Sequence, residues 1–324
     1  MIVRWGLASY PALLDELGIG RPLLVTTPRW LDLGLAAHST FAGVRPHVPV
    51  ETVAAALAAA EGCDGLVAVG GGSAIDTAKA VSAQAGLPVL SIPTTYSGAE
   101  WTRGFGMRDE ATGEKRGGSG AETAGILYDE ELTLTLPRGE SGGTALNALA
   151  HCAEALYVAG RNPDDDREAL AGAALIGTAL PGVLEDGTDR AARRALLEGA
   201  MHAGAALAGA GLGLAHALAQ ALGGRFGIAH GAANALCLPP ALRFNQPAVP
   251  EEIARFADAL GAADAAGRAE ELAQLAGFTR LRDLGVRAED LDEAAARAVE
   301  RPGARANPRP VTAAEAEELL RSIW

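Results

Sequence analysis

Residues 64–80 read DGLVAVGGGSAIDTAKA. Leu66, Val67 and Val69 form a short apolar run, which predicts a buried strand. Gly70, Gly71 and Gly72 interrupt it, and Ser73 leads into a predicted helix over 74–86. Glycines let a backbone come close to a phosphate, and the helix that follows offers free N–H groups and a positive dipole end. Ser73 is placed to cap that helix and donate to an oxygen. A triglycine turn also serves as a plain strand–helix connection, so the motif needs support from the rest of the chain.

That support comes from the flanking segments. RPLLVTT (21–27), LPVLSIPTT (87–95) and AGILYD (124–129) read as strands, and ETVAAALAAAEG (51–62) reads as helix. Strands alternating with helices predict a parallel sheet covered on both faces. A second turn, Pro93 to Gly98, follows the strand over 87–95. The hydroxyls of Thr94, Thr95 and Ser97 are candidates to reach a pyrophosphate or a nicotinamide amide. Two such turns at adjacent strand ends point to a dinucleotide. The strand over 21–27 ends Thr26-Thr27-Pro28-Arg29, with no carboxylate to bind a ribose 2′-OH or repel a 2′-phosphate. NADPH is therefore expected to be accepted alongside NADH. Thr27, Asp76 and Lys115 complete the expected nucleotide contacts.

After LTLP (134–137) the texture changes. From Ser141 onward the chain reads as helix almost to its end, with breaks at 161–166, 180–187 and 237–250 that carry Pro or Gly. The expected organisation is an α/β nucleotide-binding N-terminal domain (1–137) and an all-α C-terminal domain (138–324), with the active site in the cleft between them. The chain has 324 residues and is 49% hydrophobic, enough for two cores. A net charge of -13 argues against nucleic acid or an anionic membrane as partner. Cys63, Cys152 and Cys237 lack any CxxC spacing and read as reduced thiols of a cytoplasmic protein. The N-terminus shows no secretory signal pattern. The uncharged tract 199–224 is mostly Ala and Gly, too weakly apolar for a membrane span, and reads as a buried helix.

The chemistry gathers in the second half. In TALNALAH (144–151), Asn147 and His151 stand four apart and share a helix face. GLAHALAQ (213–220) carries His216 and GIAHGAAN (227–234) carries His230. Imidazole nitrogens suit Zn²⁺ or Fe²⁺, but Asn is a poor ligand where a carboxylate would be a good one. His38 and His47 read as surface or loop residues and His202 as a core histidine.

Together, GGGSAIDTAKA, IPTTYSGAEWT, DEELTLTLP, NALAH and GLAH…AHG resemble the iron-containing alcohol dehydrogenase superfamily. TALNALAHCAEALYVAGRNP, LGGRFGIAH, LRDLGVRAEDLDEAA and NPRPVT resemble its maleylacetate reductase branch. The resemblance implies the dehydroquinate synthase-like architecture and NAD(P)-dependent redox chemistry on a small oxo-carboxylate or carbonyl substrate. It places the superfamily's metal ligands at Asn147, His151, His216 and His230, with Asn147 where the superfamily has Asp. Iron or zinc is then expected to bind weakly or not at all. The histidines would polarise the substrate by hydrogen bonding and supply a proton, with Asn147 orienting it. Gln220 stands where the superfamily often has another His near the nicotinamide, and the segment before NPRP and the N-terminus also depart from the branch. Arg103 and Arg243 are the candidates for the substrate's carboxylates. The resemblance implies a homodimer that reduces maleylacetate to 3-oxoadipate. A metal-dependent alcohol or aldehyde dehydrogenase and a non-catalytic nucleotide-binding homologue remain the alternatives.

Overall fold

A computed structural model describes residues 1–111 and 115–324. The chain divides into two compact units, Met1–Thr95 with Ala99–Thr133, and Tyr96–Gly98 with Leu134–Trp324. The second unit thus begins just ahead of Pro137 and includes three residues from the turn after the strand at 87–95.

The first unit runs β1 (Ile2–Trp5), α1 (Tyr10–Leu17), β2 (Pro22–Val25), β3 (Ser39–Phe41), α2 (Val50–Ala59), β4 (Gly65–Gly70), α3 (Gly72–Ala85), β5 (Pro88–Pro93), β6 (Phe105–Arg108), β7 (Lys115–Gly118) and β8 (Glu122–Tyr128). Six strands form one parallel sheet in the order β1-β8-β5-β4-β2-β3, and β6 pairs antiparallel with β7. All six residues of β4 are buried, as a strand covered on both faces requires. Its side chains alternate: Leu66 and Ala68 pack with Leu23, Val53 and Ile75, while Val67 and Val69 pack with Tyr10, Leu13 and Ile92. The first strand, the four-residue β1, lies at the sheet edge and pairs with β8. So short a run carries too little periodicity to be recognised.

The second unit is helical: α4 (Arg138–Ala155), α5 (Pro163–Glu185), α6 (Arg190–Ala210), α7 (Leu214–Phe226), α8 (His230–Asn245), α9 (Pro250–Ala259), α10 (Ala265–Leu275), α11 (Leu291–Val299), α12 (Pro302–Ala306) and α13 (Ala313–Ser322). From Ser141 to Ala155 every residue of α4 except Thr144 is buried, so this helix is the core of the unit. Small residues let its neighbours approach backbone to backbone. A Cβ at Gly231 of α8 would lie 2.4 Å from the carbonyl carbon of Gly143.

Three sequence expectations need correction. The breaks at 180–187 and 237–250 come later than the prolines suggest: Pro181 lies inside α5, and the buried Pro239 and Pro240 lie inside α8. Packing on these helices outweighs the one lost hydrogen bond and the local clash each proline brings. The tract 199–224 is not one helix. It breaks at Gly211, whose φ of 90° suits glycine, and α6 and α7 meet at a 98° bend. By length and composition α5 could cross a membrane, but half of its apolar window is buried within the protein, as in a core helix.

Candidate active site

Asn147, His151 and Glu154 stand at i, i+4 and i+7 along α4, on one face. Glu154 is completely buried and points at the start of α7. There its Oε2 accepts from Gly213 N at 2.7 Å and its Oε1 from His216 N at 3.1 Å. A carboxylate at a helix N-terminus is satisfied by orphan N–H groups and by the dipole. His216 Nδ1 lies 2.7 Å from Oε2 of the same carboxylate and donates to it. Glu154 therefore fixes both the beginning of α7 and the orientation of the His216 ring.

The opposite edge of that ring meets amides. Asn147 Nδ2 donates to the carbonyl oxygen of Ser97 at 3.2 Å. A carbonyl can only accept, so this contact sets which end of the amide is which. Asn147 Oδ1 then accepts from Asn234 Nδ2 at 2.8 Å and lies 3.3 Å from His216 Nε2. The His216 ring is thus held between the Glu154 carboxylate at Nδ1 and the Asn147 amide at Nε2.

The other two histidines flank this ring. His151 stacks on it, with centroids 4.6 Å apart and planes 12° from parallel. His230, the first residue of α8, tilts against it at 5.6 Å and 50°. His151 is 3% exposed, and its Nδ1 has no hydrogen-bond partner among the described residues. Burial, then His216 and His230, hold its pKa well below the ordinary histidine value, so the ring is neutral. His230 is exposed, and its Nε2 accepts from Asn234 Nδ2 at 3.1 Å.

In the first unit, Gly70 pairs in register with Pro93, so the two turns leave adjacent strands side by side. Thr94 N donates to Gly70 O at 3.0 Å. A Cβ at Gly71 would lie 2.9 Å from Thr95 Cγ2, and the buried Thr95 Oγ1 has no partner among the described residues. This tight cradle, with an orphan hydroxyl on its wall, fits a nucleotide phosphate. The cap of α3 is Gly71, not Ser73, which lies within the first turn because the helix starts at Gly72. Asp76 is engaged within the chain: it pairs with the buried Lys79 at 2.9 Å and accepts from Gly106 N at 3.1 Å. Thr27 precedes a short 3₁₀ turn and makes no side-chain cap. The Lys115 side chain lies outside the described residues.

The carboxylate-binding candidates fare differently. Arg243 is thirteen residues along α8 from His230, about 20 Å at 1.5 Å per residue, and it pairs with Glu270. It is not at the histidine cluster. Arg103 is exposed, pairs with Glu122 at 2.8 Å and donates to Ala121 O at 3.0 Å. Gln220 is half-buried on α7, one turn beyond His216. His202 is no core histidine: it is half-buried and lies 2.6 Å from Glu168, since its helix face is only partly covered. Asn307 of the NPRP motif pairs through both amide groups with Asn245 at 2.7 and 2.9 Å, a structural tie.

Residues 4–124 match the iron-containing alcohol dehydrogenase family and residues 142–324 its C-terminal part. The chain belongs to the iron-containing alcohol dehydrogenase family. Among its relatives is a maleylacetate reductase of Sphingobium indicum, 37% identical, with 98% of this chain and 94% of that one aligned. A maleylacetate reductase of Burkholderia cepacia is 37% identical over 92% of this chain and 87% of its own length. The crystal structure of a maleylacetate reductase from Agrobacterium tumefaciens superposes with a TM-score of 0.91 at 32% identity, covering 100% of this chain and 95% of that one. The fold is that of the family, and the chain is an NAD(P)-dependent oxidoreductase. The non-catalytic alternative falls away.

Family membership supports a metal ion as well as a nicotinamide nucleotide. The four positions of this chain do not fit a metal. Ligand lone pairs lie in the ring planes and must converge on one point. The nearly parallel rings of His151 and His216 send theirs side by side. Asn147 Oδ1 and His230 Nε2 both receive the Asn234 amide, a donor standing where a cation would stand. Among the described residues, no group of three or more His, Cys, Asp or Glu side chains is arranged to hold a metal ion.

Sequence reasoning passed over Glu154 and Asn234. Both carried a signal: Glu154 continues the spacing of Asn147 and His151, and Asn234 stands one turn after His230.

Proposed function

We propose that this chain is a maleylacetate reductase that reduces the substrate's carbon–carbon double bond to give 3-oxoadipate, with histidines and amides in place of a metal. The observation that carries the metal-free part is His216, held between the Glu154 carboxylate and the Asn147 carbonyl oxygen. Bound NADH or NADPH supplies the hydride. The α3 N-terminus and the Gly70–Gly72 turn hold the pyrophosphate, with Thr94, Thr95 and Ser97 as further contacts.

His230 is the exposed ring of the three and so the one that meets the substrate. With Nε2 accepting from Asn234, a neutral His230 carries its proton on Nδ1, which donates to the ketone oxygen conjugated with the double bond. Hydride addition places negative charge on that oxygen. The buried His216, oriented by Glu154 behind His230, helps to stabilise this charge. A proton taken from solvent at the carbon next to the ketone completes the reduction. Arg103 remains a candidate for a substrate carboxylate, since an exposed ion pair such as its contact with Glu122 is weak.

A homodimer in the cytoplasm belongs to this reading, in keeping with three unpaired cysteines, two of them buried. The test is oxidation of NADH and NADPH with maleylacetate, with 3-oxoadipate identified as product. Turnover with both is expected, with kcat/KM values within about 100-fold of each other, because no carboxylate follows β2. A product that keeps the double bond and carries an alcohol would sink the reading.

A further inference from the structure

We propose that Arg193 is a positioning residue for the reaction, acting through the Tyr96 hydroxyl on the tripeptide Tyr96–Gly98 and so on Asn147 and His151. The inference rests on the proposed reductase reading and assigns a role to a buried charge which that reading leaves unused.

Arg193 of α6 is 2% exposed, yet no carboxylate pairs with it among the described residues. Its guanidinium is held by neutral acceptors. Nε donates to Gly187 O at 2.9 Å, Nη1 to Ser141 Oγ at 2.7 Å and to Tyr96 OH at 3.1 Å, and Nη2 to Leu136 O at 3.1 Å. A buried cation is expensive unless every N–H is met in a fixed geometry, and the fork of Arg makes that geometry rigid. Three of these contacts bind backbone or the start of α4. The fourth reaches Tyr96, whose side chain is itself completely buried.

Each residue of the tripeptide then touches the helical unit. Tyr96 N donates to Thr144 Oγ1 at 3.3 Å. Ser97 O accepts from Asn147 Nδ2 and fixes the amide that faces His216. Gly98, at φ 72°, comes so close that a Cβ there would lie 3.3 Å from Gly204 Cα and 3.6 Å from His151 Nδ1. A shift of Tyr96 therefore moves the acceptor that orients Asn147 and the surface that covers His151. Displacements of about 1 Å in such groups lower rates by up to about 100-fold.

Tyr96→Phe keeps the buried ring and removes only the hydroxyl, so the fold survives. It is expected to lower kcat for maleylacetate about tenfold or more, with KM for NADH unchanged. The same change in an Asn147→Ala background is expected to have a clearly smaller effect, because one of the two residues it acts through is gone. Imidazole ¹⁵N–¹H signals of His151 and His216 should shift in Tyr96→Phe, a readout independent of turnover. Arg193→Lys, which keeps the charge but not the fork, should reproduce both results. A kcat within about twofold of the parent, equal losses in both backgrounds, or unshifted histidine signals would each overturn the proposal. A parent enzyme inert towards maleylacetate would count against the substrate assignment alone, and the histidine signals would still decide the role of Arg193.

Discussion

Glu154→Gln is expected to lower kcat by about 10²–10⁴-fold while KM for NADH stays within about twofold. The substitution preserves volume and removes a charge. In its place an amide must face three donors: Gly213 N, His216 N and His216 Nδ1. An amide offers one acceptor oxygen, so at least one N–H is left opposed by another N–H. The His216 ring then loses the carboxylate that orients it. Because the site is completely buried, stability also falls, by about 2–4 kcal/mol, through unsatisfied donors. Steady-state kinetics and a thermal melt on the same preparation separate the two effects. If kcat held within about threefold of the parent, Glu154 would be only a helix cap and His216 would have no part in charge stabilisation.

Gly71→Val is expected to raise the dissociation constant for NADH by about 100-fold or more, with kcat at saturating nucleotide reduced far less. The Gly71 backbone, at φ -81° and ψ -169°, is open to any residue, so no backbone strain confuses the result. The effect comes from space. A Cβ there would lie 2.9 Å from Thr95 Cγ2 and 3.3 Å from Thr95 Oγ1. The methyls of valine would push the second turn away or stand where the pyrophosphate approaches the helix N-terminus. Quenching or transfer of NADH fluorescence measures the constant directly. Unchanged affinity would move the nucleotide away from this turn.

What the sequence could show depended on how far apart the partners lay. The strand, turn and helix around Gly70–Gly72 were legible because the whole device spans one short segment with a change of period. The three histidines and Asn147 were legible as a set through the family resemblance. Their organisation was not, because Glu154 and His216 are 62 residues apart and Ser97 and Asn147 are 50 apart. No local pattern reports such pairs. The prolines misled for the opposite reason: Pro239 and Pro240 break helices by local rule, and burial in the core overrode it. That Tyr96–Gly98 pack with the helical unit, although strand β5 and the residues after them belong to the other, had no sequence signal at all.

The measurement that bears most directly on the account is turnover of maleylacetate by protein freed of metal with a strong chelator, before and after adding Fe²⁺ or Zn²⁺. Metal analysis on the same sample fixes the stoichiometry. Full activity at well under about one metal per ten chains, and no gain from either ion, is the predicted result. It would leave His216, Glu154 and Asn147 as the means of polarising the substrate. Activity that vanishes with the metal and returns with stoichiometric Fe²⁺ or Zn²⁺ would contradict the account. Asn147 would then be a tolerated ligand, and the cluster would have to rearrange around a cation to work.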